Sequence, residues 1–125
     1  MPQYIFLKRA YEKPAPEDGI RILVDRLWPR GLSKDRAEIA LWLKEVAPSP
    51  ALRAWYGHDP EKFAEFNQKY AAELSEGVTH DSFLILRKLA QEGPITLVFA
   101  ARDVAHAHAQ VLKSLLLDHT TKKTM

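Results

Sequence analysis

Cysteine is absent from the 125 residues of this sequence. Its absence excludes a disulfide framework, a thiolate nucleophile and any zinc or iron–sulfur site held by cysteine, and it fits a reducing compartment. Long apolar runs are also lacking, because none approaches the ~20 residues that a membrane-spanning helix needs. No signal peptide is recognised at the start of the chain. We therefore expect a cytoplasmic protein without a membrane partner.

The sequence also lacks a large excess of positive or negative charge. Lys and Arg total 18 and Asp and Glu total 16, which leaves a net charge of only +2. A strongly basic face is the usual signature of nucleic-acid binding, so we expect a small anionic ligand in preference to nucleic acid. The oligomeric state is not indicated by the sequence.

Hydrophobic residues at 46% and charged residues at 27% are ordinary values for a globular protein. The length suits one domain, which we place at residues 1–119. A polar tail, residues 120–125, is predicted to fray.

Three apolar runs predict β-strands, at residues 3–8, 20–25 and 95–100. Their nearly continuous apolar character is typical of strands buried on both faces. A long helical stretch separates the second run from the third, and this favours a parallel pair with a right-handed crossover. The direction of the first strand stays open. The sequence thus predicts a small layered α/β domain with a short, mostly parallel sheet flanked by helices.

Five helices are predicted from apolar spacing and from start and stop signals. The first follows Asp35, since Ile39, Trp42, Leu43 and Val46 recur at helical spacing. The others are defined by their ends: Ser49-Pro50 to Gly57, Asp59-Pro60 to Gly77, Thr79 or Asp81 to Gly93-Pro94, and a last helix capped by Asp103.

Polar side chains follow both strands of the predicted parallel pair. Ligands of open α/β sheets favour the crevice beyond the carboxyl ends of such strands, so the two segments are expected to form one pocket. The residues concerned are Asp25, Arg26, Trp28 and Arg30 after the second strand, and Arg102, Asp103 and His106 after the third.

An anion is the ligand class that these residues suggest. Guanidinium groups of Arg26 and Arg30 suit phosphate or carboxylate, with Lys8 and Arg102 as further candidates. Gly31 would let backbone N–H groups approach the anion. Trp28 would wall the pocket, with Asp103 and His108 beside it. The alternative is that the arginines are solvated or paired with local carboxylates.

Asp25, His58 and His106 are the candidates for catalytic proton transfer. Asp25 and His58 have alternatives. Asp25 is also suited to ligate a metal or, as the favoured role, to accept hydrogen bonds from loop N–H groups, and His58 is suited to cap a helix from its turn. His108 lies on an apolar stripe, which is typical of a buried, hydrogen-bonded histidine.

Metal and cofactor motifs give no assignment. His106 and His108 lie two residues apart, and on a helix that spacing turns them to nearly opposite faces. A metal site would need two or three of the aspartates and histidines to converge, so no metal ligand is assigned. The Gly-rich phosphate and dinucleotide loops, the HExxH helix and the GxSxG elbow are absent, and no cofactor is expected.

Several segments together resemble a known family. They are Leu7-Lys8-Arg9, Pro16-Glu17-Asp18-Gly19, the run VDRLWPRGLSK at 24–34, Trp42-Leu43, residues 55–60 with Phe66 and Tyr70, residues 100–103 and residues 106–108. The chain resembles the YeaO-like branch of the domain of unknown function 488 family. This resemblance implies a bacterial or archaeal cytoplasmic protein with an α/β fold and no established activity.

The chain departs from the wider family where that family often carries cysteine. Relatives often end the last strand in Cys-Ala-Glu and open the next helix with Cys-His-Arg. Here the corresponding residues are Phe99-Ala100-Ala101 and Ala107-His108-Ala109. A thiol-based mechanism is therefore impossible in this chain.

Three functions remain open from the sequence, and whether the protein is an enzyme is undecided. The first is a small-molecule or anion-binding site, with or without catalysis, at the carboxyl ends of the second and third strands. The second is a non-catalytic module in which Lys8, Arg9, Arg26 and Arg30 bind nucleic acid or an acidic protein. The third is a metal-binding protein, which requires two or three of the following residues to converge: Asp25, His58, Asp103, His106 and His108. The near-neutral charge favours the pocket.

Overall fold

A parallel β-sheet of four strands forms the centre of the protein. The computed structural model describes residues 4–124, with side chains described as far as residue 117. The strands are β1 (Ile5–Arg9), β2 (Ile20–Leu23), β3 (Leu41–Trp42) and β4 (Ile95–Phe99). Their order across the sheet is β1-β4-β2-β3, and each neighbouring pair is parallel. The small α/β fold predicted from the sequence is confirmed, and β1 proves parallel to β4.

The described part of the chain contains five α-helices. They are α1 (Lys34–Ala37), α2 (Pro50–Tyr56), α3 (Phe63–Glu73), α4 (Gly77–Glu92) and α5 (His108–Thr124). Short 3-10 helices occur at Pro16–Asp18, Lys44–Val46, Pro60–Lys62 and Val104–His106. Within the described residues, the structure contains no helix with the length and apolar character to cross a membrane. The predicted fraying of residues 120–125 stays a prediction.

The two faces of the sheet are covered differently. One face carries Ile22, Val24 and Leu97, which pack into the main core with aromatic and aliphatic side chains of α2 to α5. The other face carries Leu23 and Val98 in a small cluster that the loops cover with Trp28, Leu32 and Ile39. Because side chains alternate along a strand, the apolar runs of β2 and β4 serve both cores.

The predicted helix beginning at Asp35 is wrong. Helix α1 begins after Ser33, whose hydroxyl accepts a hydrogen bond from the Arg36 N–H, and it ends at Glu38 in the left-handed region. The chain then pairs with β2 as β3, where Leu41 lies opposite Ile22. Hydrogen bonding to the open edge of β2 thus prevails over a helical spacing of apolar residues that spans only a few turns.

Other helix boundaries are partly confirmed. Helix α2 lies between Ser49 and a left-handed Gly57, as predicted. Helix α3 ends at Glu73, and Gly77 is the first residue of α4 rather than the end of α3. Asp103 caps a 3-10 turn, so α5 begins only at His108.

Candidate functional site

The segments that follow β2 and β4 meet at one edge of the sheet, as the sequence predicted. Strand β2 lies directly beside β4 and parallel to it. Residues 25–30 and 100–103 line a common cavity of about 680 Å³, which we call the strand-end cleft. Its remaining lining residues are Ala47, Pro48, Arg53, His58 and His108.

Asp25 joins the two strand ends. One carboxylate oxygen accepts a 2.9 Å hydrogen bond from the Ala100 N–H, and the other lies 3.4 Å from Nε2 of His108. The backbone carbonyl of Asp25 accepts a 2.7 Å hydrogen bond from the Trp42 indole. The structural alternative for this carboxylate, as an acceptor for loop N–H groups, is therefore observed. Its catalytic role stays a prediction.

His108 is a largely buried histidine with a fixed tautomer. Its side chain is 14% exposed, and Nε2 lies 3.0 Å from the Val24 carbonyl, which can only accept. Nε2 therefore carries a proton, and in the neutral ring Nδ1 is the basic nitrogen. Burial lowers the pKa of His108 below 6.5, opposed by the Asp25 charge and the Val24 carbonyl and assisted by Arg53 and His58. The prediction of a buried, hydrogen-bonded histidine is confirmed.

The lowered pKa of His108 predicts that the free energy of unfolding depends on pH. The unfolded chain binds this proton more readily than the folded chain does, so the contribution of neutral His108 is present above pH 6.5 and is lost as pH falls through the folded pKa. Urea unfolding should show the midpoint falling between pH 7.5 and 5.5, and falling less in His108→Gln. An equal decline in both proteins would contradict the assignment.

His106 lies on the same side of the molecule as His108, contrary to the sequence prediction. The structure places both rings along one cavity of about 320 Å³, and His106 belongs to a 3-10 turn rather than to the last helix. An extended Ala107 separates that turn from α5, so the 100° rotation per residue does not apply between the two histidines. His106 donates from Nδ1 to Asp103 at 2.8 Å.

Four arginines line the strand-end cleft. Arg26 is fixed by the carbonyls of Ala47 and Pro48, at 3.2 and 3.4 Å, with Glu45 3.9 Å away. Arg30, Arg53 and Arg102 are exposed at the cleft. Among the side chains described, these three arginines have no acidic partner.

Arg53 is the cleft residue that the sequence analysis missed. It lies on α2, remote in the chain from both strand ends, and reaches the cleft only through the packing of that helix. No local pattern marks it, although it lies two residues before the predicted 55–60 cluster.

His58 lies at the cleft, but it does not cap a helix. It adopts a left-handed backbone with φ of 57°, and the neighbouring Asp59 is the residue that caps the next turn by accepting from the Glu61 N–H. The capping alternative for His58 is therefore wrong. Its exposed ring faces ligand-accessible space in both cavities.

Two predicted pocket residues lie elsewhere. The Lys8 ammonium is bound to Asp18 at 3.0 Å, in an ion pair outside the cleft. Gly31 lines a separate cavity of about 530 Å³ beside the loop after β1. Trp28 does wall the cleft, and its indole donates to the Leu32 carbonyl at 2.7 Å.

The aspartates and histidines do not gather into a metal site in the part of the chain whose side chains are described, since no three of them lie close enough to share an ion. Asp25 and His108 pair with each other, and Asp103 pairs with His106. The acidic groups of the cleft are thus already engaged, whereas three of its arginines are not.

The parallel sheet with a polar cleft at its carboxyl edge defines a small α/β protein with one candidate ligand site. A family model described as the inactive DUF488-N3 subclade matches residues 4–124. The chain belongs to this subclade of the domain of unknown function 488 family, which confirms the family predicted from its motifs.

Two bacterial relatives illustrate the similarity. The uncharacterised protein Rv3073c of Mycobacterium tuberculosis is 49% identical over 110 residues, which cover 86% of this chain and 89% of that protein. The uncharacterised protein YeaO of Escherichia coli is 38% identical over 109 residues, covering 87% and 93% respectively. No solved structure matches the chain at a significant level.

Proposed function

We propose that the protein is a non-catalytic binding protein for a small anionic molecule, which it holds in the strand-end cleft. The observation that carries the proposal is the charge balance of the cleft. Four arginines line it against two carboxylates, Asp25 and Asp103, and both carboxylates already pair with histidines. Guanidinium groups without an acidic partner favour phosphate or carboxylate ligands.

Arg26 supports this proposal through its rigidity. Its Nη2 is held by two backbone carbonyls, while its buried Nε has no hydrogen-bond partner among the described atoms. The charge of Arg26 is thus positioned before any ligand binds.

Two features favour binding without catalysis. The subclade to which the chain belongs is described as inactive. Asp25, the candidate general base, is committed to the Ala100 N–H and to His108, so its carboxylate serves to hold the strand ends together. No observation comparable to the charge balance of the cleft supports a proton-transfer role for His58 or His106.

Arg53→Ala tests the proposal directly. We expect the dissociation constant for inorganic phosphate to rise at least about tenfold, because a charge-assisted hydrogen bond contributes roughly 1.5–3 kcal/mol. The measurement is a titration of backbone amide chemical shifts at residues 26–28, 30 and 100–103. Arg30→Ala should act in the same direction.

Lys88→Ala is the matched control, since it also removes one exposed positive charge but lies on α4, away from the cleft. It should leave phosphate affinity unchanged. An unaltered dissociation constant in Arg53→Ala and Arg30→Ala would overturn the proposal. The proposal would also be overturned if the wild type did not bind phosphate but bound mixed RNA and DNA with a steep salt dependence. That result would favour the nucleic-acid alternative.

A further inference from the structure

A second cavity of about 320 Å³ adjoins the strand-end cleft; we call it the side chamber. The side chamber and the cleft share five lining residues: Pro48, Arg53, His58, Ala101 and His108. The two cavities are therefore neighbouring parts of one depression, with Arg53 at their junction. A molecule whose anionic group lies in the cleft can extend its remaining atoms into the side chamber.

The inner wall of the side chamber is aromatic. Tyr56 and Phe66 stack with ring centroids 4.2 Å apart and planes inclined by 16°. The Tyr56 hydroxyl is occupied, because it donates a 2.7 Å hydrogen bond to the His106 carbonyl. Tyr56 therefore contributes its ring to the side chamber, and its O–H donor is already used. Both side chains are buried in the core, so this wall is fixed before a ligand arrives.

The remaining walls are imidazole, proline and alanine, with the Arg53 side chain at the junction with the cleft. His106 and His108 line the side chamber, and each ring is held by a protein acceptor, Asp103 and the Val24 carbonyl respectively. His106 is further positioned edge-on to Phe63, with centroids 5.1 Å apart. Aromatic rings in offset and edge-to-face contact favour another planar ring over a flexible chain.

We infer that the ligand of this protein is an anion joined to a single planar ring, with the anionic group at the arginines of the cleft and the ring in the side chamber. This inference rests on the proposed anion-binding function and specifies its ligand class. The side chamber has room for a ring, since its volume is roughly twice the ~150 Å³ of a cavity that holds benzene.

Phenyl phosphate and methyl phosphate are the probes that test the inference. They share the anionic group and differ in the ring. We expect the wild type to bind phenyl phosphate about tenfold more tightly, because burying a ring contributes on the order of 1.4 kcal/mol or more. The readout is the dissociation constant from amide shift titrations at constant ionic strength.

Ala54→Phe closes the side chamber without touching the residues that are unique to the cleft. Ala54 is exposed on α2 and lines the side chamber but not the cleft. The variant should lose the preference for phenyl phosphate and bind methyl phosphate as the wild type does. Ala51→Phe is the matched control, because Ala51 is also exposed on α2 and lines neither cavity, and it should retain the preference.

The outcomes separate the inference from the function beneath it. Equal affinity of the wild type for the two probes, or an undiminished preference in Ala54→Phe, overturns the ring subsite and leaves anion binding intact. Binding of neither probe overturns the proposed function itself. Loss of methyl phosphate affinity in Ala54→Phe would place the anion in the side chamber and so also contradict the arrangement inferred here.

Discussion

Asp18→Ala is expected to lower the free energy of unfolding by roughly 3–5 kcal/mol, the range for breaking a buried ion pair by removing one partner. The Asp18 carboxylate is 6% exposed and binds both Arg21 at 2.7 Å and Lys8 at 3.0 Å. Without it the Arg21 guanidinium, which is 4% exposed, retains only the Ala37 carbonyl as a partner. Urea unfolding at pH 7 measures the loss.

Lys8→Ala is the appropriate comparison for Asp18→Ala. Lys8 is 22% exposed, and its removal leaves the Asp18–Arg21 pair intact, so its cost should be well below that of Asp18→Ala. Equal losses in the two variants would show that the buried Arg21 charge is not the source of the effect.

The same carboxylate gives a signature in acid. Burial acts to raise the pKa of Asp18, but hydrogen bonds from the Ala15 N–H, Lys8 and Arg21 outweigh it and hold the pKa below 3.8. Stability from this charge is therefore present above pH 3.8 and is lost as pH falls through the folded pKa. Asp18→Asn should be less stable at pH 7 and should lose less stability between pH 5 and pH 3 than the wild type.

The sequence predicted those parts of the fold that depend on long apolar runs and strong punctuation. The runs at 20–25 and 95–100 contain β2 and β4, because continuous apolar side chains suit a sheet that is covered on both faces. Strand β3 was missed because it is two residues long and exists through pairing with β2. A pattern within 35–47 could not reveal a partner supplied by a distant part of the chain.

The position of the candidate site could be predicted, because it follows from the sheet topology. Parallel neighbours bring their carboxyl ends together, and so Arg26, Arg30 and Arg102 line the same cleft. Arg53 and Lys8 show the limit of that reasoning. Arg53 lines the cleft because helix α2 packs beside it. Lys8 lies outside the cleft, in an ion pair with Asp18, a residue that the sequence placed only in a loop. The sign of each charge can be read from the sequence. Whether a side chain of opposite charge lies beside it in the folded protein cannot.

Gly19→Ala is expected to cost roughly 3 kcal/mol or more, because it combines backbone strain with a clash. Gly19 has φ of 65° and ψ of −139°, a conformation essentially restricted to glycine. A Cβ atom there would lie 2.1 Å from the Pro94 carbonyl oxygen, which itself accepts the Ile20 N–H at 3.1 Å. The Pro94 oxygen is a backbone atom and the Cβ atom is fixed directly to the backbone of residue 19, so neither can rotate away. The start of β2 would therefore have to move away from β4.

Gly31→Ala separates the two contributions to the Gly19→Ala effect. Gly31 also has a positive φ, of 77°, but a Cβ atom there meets nothing within 4 Å, so its substitution should cost only the strain, about 1 kcal/mol. In Gly19→Ala, but not in Gly31→Ala, the clash should also break the 2.7 Å hydrogen bond that Thr96 donates to the Asp18 carbonyl and expose the Asp18 ion pairs to water. A Gly19→Ala urea midpoint no lower than that of Gly31→Ala would refute the view that this close approach of Gly19 to Pro94 sets the spacing of β2 and β4, the two strands that carry the cleft.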